Sequence, residues 1–493
     1  MTMHKDLVLA IDQGTSSTKC LLLNAAGQIV ARGSAPLGET YPQPGWVSQD
    51  ALEIWESVQQ AVRTCLAGQE VGAIAAVGLS TQRESYVAWQ RSDGAPLGPV
   101  INWQDQRTIA LCETRRSKAT EILVRERSGL PLDPMFSASK ACWLLDSIDP
   151  GRARAKAGEI CLGTIDSWLL SHFGGAHVTE AGNASRTQLL NVRTVDWDPD
   201  LLALFDIPLA ALPKVMPSSG PFPAVRGLAP LPDGVPVFAV MGDSHSALFA
   251  HGAFEPGEVK ATLGTGSSIM GLVERAETRA DTGLCLSIGW QLEHVAYAAE
   301  GNIRSCGATL RWLAKLFNST PEAVAEEGVH ASSHGVCVVP AFNGLGAPWW
   351  DGEAVGLISG LTLDTDRAVL ARATLESMVH QVCDVVEAID RNFGRVTRLH
   401  TDGGPTRSSP LMQWLADFID RPVLRATQAE LSALGVAHLA GLQAGLWTKD
   451  ALRAMNRNSD LFTPSLSEVA RNKQRNSWLS AVSRARLRHL AQG

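Results

Sequence analysis

Two short turns and one carboxylate bring together residue types suited to handling a phosphoryl group. Asp12-Gln13-Gly14-Thr15 follows the apolar run 7–11 and places a carboxylate, a flexible glycine and a hydroxyl at the end of a predicted strand. Gly264-Thr265-Gly266 repeats the arrangement after the apolar run 259–263, and Asp243 stands between Gly242 and Ser244 directly after the run 237–241. Phosphoryl transfer needs backbone N–H groups or cations around phosphates, a carboxylate to hold Mg2+, and a group that orients or deprotonates the attacking hydroxyl. Each feature also has a plain structural reading. Either turn alone could be an ordinary hairpin, and Asp243 could simply cap a helix over 246–250. His245 and His251 flank Asp243 at a spacing that matches no metal pattern, and they read as packing or solvent residues. The chain contains no Gly-Lys pair, which excludes the G-x-x-x-x-G-K-[ST] loop, and Ile269 stands where a G-x-G-x-x-G motif starting at Gly264 needs its third glycine. A phosphate site must therefore be assembled from two facing hairpins.

The elements that would position these groups follow from hydrophobic period. Runs 7–11, 19–23 and 29–34 predict three antiparallel strands, the last two joined by Asn24-Ala25-Ala26-Gly27. Leu52, Trp55, Val58, Val62 and Leu66 recur at helical spacing behind Ser48, the expected N-cap of a helix over 50–66. The run 74–79 predicts a further strand ending in Ser80-Thr81-Gln82-Arg83-Glu84, which makes the class mixed α/β. In the second half, runs 259–263 and 269–273 form another hairpin, and the likeness between 11–16 and 263–268 suggests a duplicated domain. The proline-rich stretch 213–236 reads as a linker or surface loop. With a boundary near residue 250, the expected domains are 1–250, for acceptor and phosphate, and 251–493, for nucleotide.

A chain of 493 residues with 45% hydrophobic and 19% charged residues can bury a large core and divides most naturally into two domains. The net charge of -7 gives no general attraction to nucleic acid. Arg475, Arg484, Arg486 and Arg488 form the one basic cluster, read as the solvated face of a terminal helix. The nine cysteines show no C-x-x-C pair, fitting reduced thiols in the cytoplasm, and no run has the length of a signal core or membrane span.

Taken together, the motifs resemble the FGGY carbohydrate kinases, on the branch nearest the glycerol kinases, over residues 6–447. The resemblance rests on Asp12-Gln13-Gly14-Thr15, Thr81-Gln82-Arg83-Glu84, Trp103-Gln104-Asp105, Asn183-Ala184-Ser185-Arg186-Thr187, Gly242-Asp243, Gly264-Thr265-Gly266, 340–351 and Asp402-Gly403-Gly404. Two longer signatures, 136–146 with Lys140 and Trp143, and 356–376, are nearly complete. The resemblance implies a two-domain fold of the actin/Hsp70/hexokinase (ribonuclease H-like) type with a catalytic cleft between the domains, and ATP with Mg2+ as cofactors. It implies that Asp12 and Asp243 lie at the metal and that Asp243 is the general base. Thr15, Ser16, Lys19, Gly264 and Thr265 would face phosphates, and Gly307, Arg311, Gly404 and Ser408 would form the adenine and ribose pocket. For the acceptor it carries over Arg83, Glu84, Trp103 and Asp243. Met135, Ser244 and Ser268 stand where glycerol kinases have Tyr, Gln and Phe, so the pocket is expected to admit a polyol or ketose larger than glycerol. Phosphorylation of glycerol to glycerol 3-phosphate is the alternative within the class, and a non-kinase Hsp70-like nucleotide-binding protein the alternative outside it. The expected partner is a small polyol or sugar, with no nucleic acid and no membrane; the family reading admits a homo-oligomer.

Overall fold

The computed structural model describes residues 5–277, 282–455, 457 and 459–487. Two sheets of the same design organise the chain. In the first, strands β1 (Leu7–Gln13), β2 (Ser17–Leu23) and β3 (Ile29–Pro36) form an antiparallel meander, and β4 (Ile74–Thr81) and β5 (Val237–Gly242) add parallel to β1, giving the order β5-β4-β1-β2-β3. In the second, β6 (Glu258–Leu263) and β7 (Ser267–Val273) form a hairpin extended by β8 (Cys285–Gln291) and β9 (Val295–Ile303). Strands β10 (Arg398–Asp402) and β11 (Val423–Ala426) then add parallel, and β12 (Ser459–Phe462) closes the order β8-β9-β7-β6-β10-β11-β12. Each sheet thus carries an antiparallel hairpin extended on one side, by β3 in the first and by β9 and then β8 in the second, with two parallel strands on the outer side of its first strand. The two Gly-containing turns occupy equivalent places, between the first and second strands of their sheets, so the short likeness between them reflects a shared topology.

The helices named below are α1 (Ala51–Leu66), α2 (Ser137–Ile148), α3 (Asp243–Ala250), α4 (Gly307–Leu316), α5 (Arg367–Phe393), α6 (Ser409–Ile419), α7 (Leu431–Gln443) and α8 (Glu468–Ala485). Among the described residues no helix is long and apolar enough to cross a membrane.

Helix α1 forms where the apolar period places it, but Asp50 caps it, accepting from the N–H groups of Leu52 and Glu53, while Ser48 lies in a short strand. Its buried face also turns away from Leu52, which is exposed, toward Ile54, Val58, Ala61, Val62 and Cys65. The small residues decide this. A Cβ on Gly33 of β3 would lie 2.2 Å from Ala61 O, so the helix seats on the meander by its least bulky stripe.

The stretch 213–236 is no linker between halves. Val225, Leu228, Leu231 and Val235 are buried in the core of the first sheet, and the chain then enters β5 of that same sheet. Nor does the second half stay on its own side. Helix α7 packs against α3, β1, β4 and β5, and a Cβ on its Gly435 would fall 1.8 Å from Ser246 O in α3. Glycine alone permits that crossing.

The basic cluster is also corrected. On α8, Arg475 is buried, 2.7 Å from Asp384 Oδ1 and 2.9 Å from Glu387 Oε1, while Trp478 stacks on His380 of α5. Arg486 pairs with Asp351 at 3.2 Å, Arg484 is exposed, and Arg488 lies outside the described residues. This helix docks on the second half through Arg475 and Trp478, while Arg484 keeps the solvent-facing place expected of it.

Candidate active site

Parallel strands β1, β4 and β5 end at one edge of the first sheet, the edge at which α/β sheets gather ligands. Asp12 near the end of β1, Arg83 and Glu84 just past β4, and Asp243 just past β5 therefore converge. Asp12 stands in register with Ser80, whose Oγ donates to Asp12 Oδ1 at 2.9 Å, and with Lys19 across the β1–β2 hairpin. Desolvation, then the nearby Asp243 carboxylate, push the Asp12 pKa up to about 7 against the pull of Ser80 and Lys19. In the hairpin, Thr15 Oγ1 accepts from Trp103 Nε1 at 3.0 Å, its carbonyl accepts from Gln49 Nε2, and Ser16 and Lys19 are exposed. The predicted phosphate residues Thr15, Ser16 and Lys19 thus share the hairpin with Asp12, and Trp103 forms its wall.

Asp243 is the first residue of α3, and Gly242 occupies the cap position. Its side chain is no cap: Oδ1 accepts only from the adjacent Ser244 N–H, at 2.6 Å, and lies 3.3 Å from Arg83 Nε. With 37% of the side chain exposed, the carboxylate can be reached from the cleft. Desolvation raises its pKa, opposed by the Arg83 guanidinium and reinforced by Glu84.

Arg83 and Glu84 do not form the simple pair expected for gripping a diol, since they approach only to 4.0 Å. Both terminal nitrogens of Arg83 bind Glu300 of β9, at 2.9 and 2.7 Å, and Glu84 Oε1 accepts from Arg186 Nε at 2.5 Å. Arg186 Nη1 also lies 3.0 Å from Glu300 Oε2. Burial opposes ionisation of Glu300, but Arg186 and Arg83 outweigh it and hold its carboxyl well below the usual range. Glu84 adopts a left-handed backbone, φ 62°, which costs a non-glycine residue free energy and needs support. Helix α2 supplies it: Ser137 Oγ donates to Glu84 O at 3.0 Å, and Lys140 Nζ bonds both Glu84 O and Met135 O. The signature lysine thus ties Met135 to the peptide of Glu84.

Across the cleft, the β6–β7 turn meets the start of α4. Gly307 N donates to Gly264 O at 2.9 Å, Ala308 N to Thr265 O at 3.1 Å, and Arg311 Nη2 to Thr265 Oγ1 at 2.9 Å. Gly403, at φ 99°, passes so close that a Cβ would lie 2.0 Å from Leu263 O, and this brings Gly404 to the same turn. Gly264, Thr265, Gly307, Arg311 and Gly404 are therefore neighbours. Ser408 serves as N-cap of α6, accepting from Leu411 N, which occupies its hydroxyl oxygen in a structural bond. His251 is more than packing, because its Nε2 lies 3.0 Å from Asp402 Oδ2. His245 is buried beside Ser287.

Sequence reasoning assigned no role to Glu300, Arg186 or the buried Lys260, whose Nζ donates to Thr262 Oγ1 at 3.0 Å. A signal existed for one of them: Glu300 is the lone charge inside its strand. Ser268 also differs from expectation. Its Oγ donates to Glu300 Oε1 at 2.8 Å, leaving its lone pairs but not its hydrogen for a ligand.

Comparison with known proteins agrees with this arrangement. Residues 7–250 match the N-terminal domain, and residues 259–444 the C-terminal domain, of the FGGY family of carbohydrate kinases. An apulose kinase of Pectobacterium atrosepticum is 40% identical over 99% of both chains, and a glycerol kinase of Aromatoleum aromaticum is 42% identical over 97% of this chain and 98% of its own. A glycerol kinase of Plasmodium falciparum solved with ADP has a TM-score of 0.93 at 28% identity, with 99% of each chain covered. The fold alone is shared with a Lactobacillus acidophilus xylulose kinase, at a TM-score of 0.86, 20% identity, and 97% and 96% coverage. With both family domains matched in order along a chain built on two like sheets, one carrying the clustered carboxylates and each carrying a Gly-containing turn, the protein belongs to the FGGY carbohydrate kinases and is an ATP-dependent enzyme that phosphorylates a hydroxyl of a sugar or polyol.

Proposed function

We propose that Asp243 is the general base of this kinase and that the acceptor is a polyol or ketose larger than glycerol. The observation that carries the first part is the Asp243 carboxylate, exposed to the cleft beside Arg83 and coupled to Asp12. It takes the proton of the acceptor hydroxyl as that oxygen attacks the γ-phosphorus and the bond to the β–γ bridging oxygen breaks, releasing ADP, and Arg83 orients the carboxylate. Thr15, Ser16 and Lys19 face the transferred phosphate from one half, and Gly264 and Thr265 face the ATP phosphates from the other. Gly307, Arg311 and Gly404 border the nucleoside, with Ser408 at its edge.

The donor set fits Mg2+. Burial and the Asp243 carboxylate raise the pKa of Asp12, so the two are oxygen donors short of positive charge, and no cluster of three or more His, Cys, Asp and Glu occurs among the described residues. Mg2+ is held by one or two carboxylates together with substrate phosphates and water. When bound it neutralises charge on the phosphates. Asp12→Ala should therefore raise the Mg2+ concentration needed for half-maximal rate, with partial recovery at high Mg2+. A variant whose Mg2+ dependence matches wild type would remove Asp12 from the metal.

Acceptor size rests on Met135, Ser244 and Ser268 around the retained Arg83, Glu84 and Trp103, and the relatedness to an apulose kinase supports it. The glycerol kinases among the relatives favour the second reading, glycerol itself. A panel of glycerol, tetritols, pentitols, ketopentoses and apulose at fixed Mg-ATP decides between them. The expected kcat/KM for the best acceptor of four or five carbons exceeds that for glycerol at least about tenfold, roughly 1.4 kcal/mol in the barrier. Glycerol outrunning every larger acceptor would refute the wide-pocket reading. Nine unpaired cysteines, all but Cys337 buried, support a cytoplasmic setting.

A further inference from the structure

The end of β9 presents Glu300 and Asn302 on one face, because alternate residues of a strand share a face. Asn302 is in register with Ser268 of β7. Its Nδ2 donates to Glu300 Oε1 at 3.2 Å, the same oxygen that receives Ser268 Oγ at 2.8 Å and Arg83 Nη2 at 2.7 Å. The amide has one sensible orientation. Glu300 is an ionised carboxylate and can only accept, so the nitrogen must face it and Oδ1 must point away. That oxygen is buried and accepts a hydrogen bond from no described residue. A buried carbonyl left unpaired is costly and calls for a specific explanation.

The location supplies one. From the proposed base a polar chain runs from Asp243 to Arg83 (3.3 Å), to Glu300 (2.7 Å), to Asn302 (3.2 Å), so Asn302 is the far end of the row that begins at that base. The segment around Met135 is tied to the same strand end. Arg304, just beyond β9, donates to Asp133 Oδ2 at 3.3 Å, and Met135 N donates to the other oxygen of Asp133 at 2.9 Å, while the Met135 thioether has no hydrogen to donate.

Building on the larger-acceptor reading, we propose that Asn302 is a specificity-determining residue whose Oδ1 accepts a hydrogen bond from an acceptor hydroxyl on a carbon beyond the third. The ligand class follows from the chemistry of this corner. The Glu300 carboxylate is already taken by Arg83, Arg186, Ser268 and Asn302, so the amide oxygen alone is left to pair, and it takes a neutral hydroxyl that donates. It offers nothing to a carboxylate or phosphate, which brings only acceptors. The enzyme therefore prefers neutral polyols and ketoses of four or five carbons over sugar acids and sugar phosphates of the same length.

The test is a cycle between residue and hydroxyl. Wild type, Asn302→Ala and Asn302→Ser are assayed for kcat/KM on the best acceptor of the panel and on its deoxy analogues, each lacking one hydroxyl beyond the third carbon. In wild type, one deoxy analogue should lose at least about tenfold. Asn302→Ala should lose as much on the intact acceptor and nothing further on that analogue, with Asn302→Ser between the two. Losses that multiply instead of overlapping, or wild type indifferent to every deoxy analogue, would overturn the contact while the larger-acceptor reading stands. The wild-type arm alone can overturn the contact even if a variant folds poorly, and Asn302→Ser, which keeps a polar side chain, supplies the residue arm where Asn302→Ala does not fold. If wild type prefers glycerol to all larger acceptors, both proposals fall together.

Discussion

Asp243→Asn should lower turnover by at least about a hundredfold while ATP binding and the fold survive. The amide keeps an oxygen where Oδ1 accepts from Ser244 N and faces Arg83, so α3 and its neighbours have no reason to move. What disappears is the ability to take a proton. The carboxylate in place is well matched to that task, because desolvation raises its basicity while Arg83 keeps it from being neutralised. Single-turnover rates with saturating acceptor isolate the chemical step, and nucleotide affinity measured by calorimetry checks the bound state. A folded variant with near-normal turnover would end the assignment. Recovery of this variant, but not Asp12→Ala, by added Mg2+ would mean that the two carboxylates have exchanged roles.

Glu300→Gln should produce the other large effect, on stability and activity together. Glu300 is fully buried and faces both Arg83 and Arg186, with Ser268 and Asn302 on the same carboxylate. Removing one member of a buried ionic network leaves the others uncompensated, at a cost of about 3–5 kcal/mol. A glutamine keeps the volume but turns a donor toward guanidinium groups that need an acceptor. Arg83 then has Asp243 as its nearest strong acceptor, and a tighter grip there makes the base less basic, so kcat should fall as well. Denaturation midpoints and kcat measured on the same preparation test both parts. An unchanged midpoint would show that the network carries little net stability.

How much of this was legible in the sequence depends on whether the information was local. The two turns, the strand before Asp243 and the phase change into α1 rest on neighbours within a few residues, and those elements form as expected. The helix cap moved from Ser48 to Asp50, and the buried face of α1 rotated, because Gly33 of another strand admits Ala61 and Cys65 most closely. The solvated reading of the terminal arginines failed at Arg475 because its partner, Asp384, lies 91 positions away. In the site, Arg83 and Glu84 were found by motif, but their true partners were not. Glu300 is 217 positions from Arg83, and Arg186 is 102 from Glu84. Charge pairing across such separations leaves no periodicity. Its only local trace is a lone charged residue in a strand, as at Glu300.

The Arg83–Glu300–Arg186 network also bears on how the two halves could have come to share one chain. Their sheets repeat one layout, as if each had once been a self-sufficient unit. Yet both guanidinium groups belong to the first half and the carboxylate that answers them to the second, while α7 of the second half covers the first sheet. Cut between α3 and β6, the first fragment would be left with two cations withdrawn from water and a bare sheet face, and the second with a buried anion and a helix without its groove. The likeness of the two sheets lies in the backbone, while the carboxylate that joins Arg83 to Arg186 comes from the other half, so each half relies on its twin.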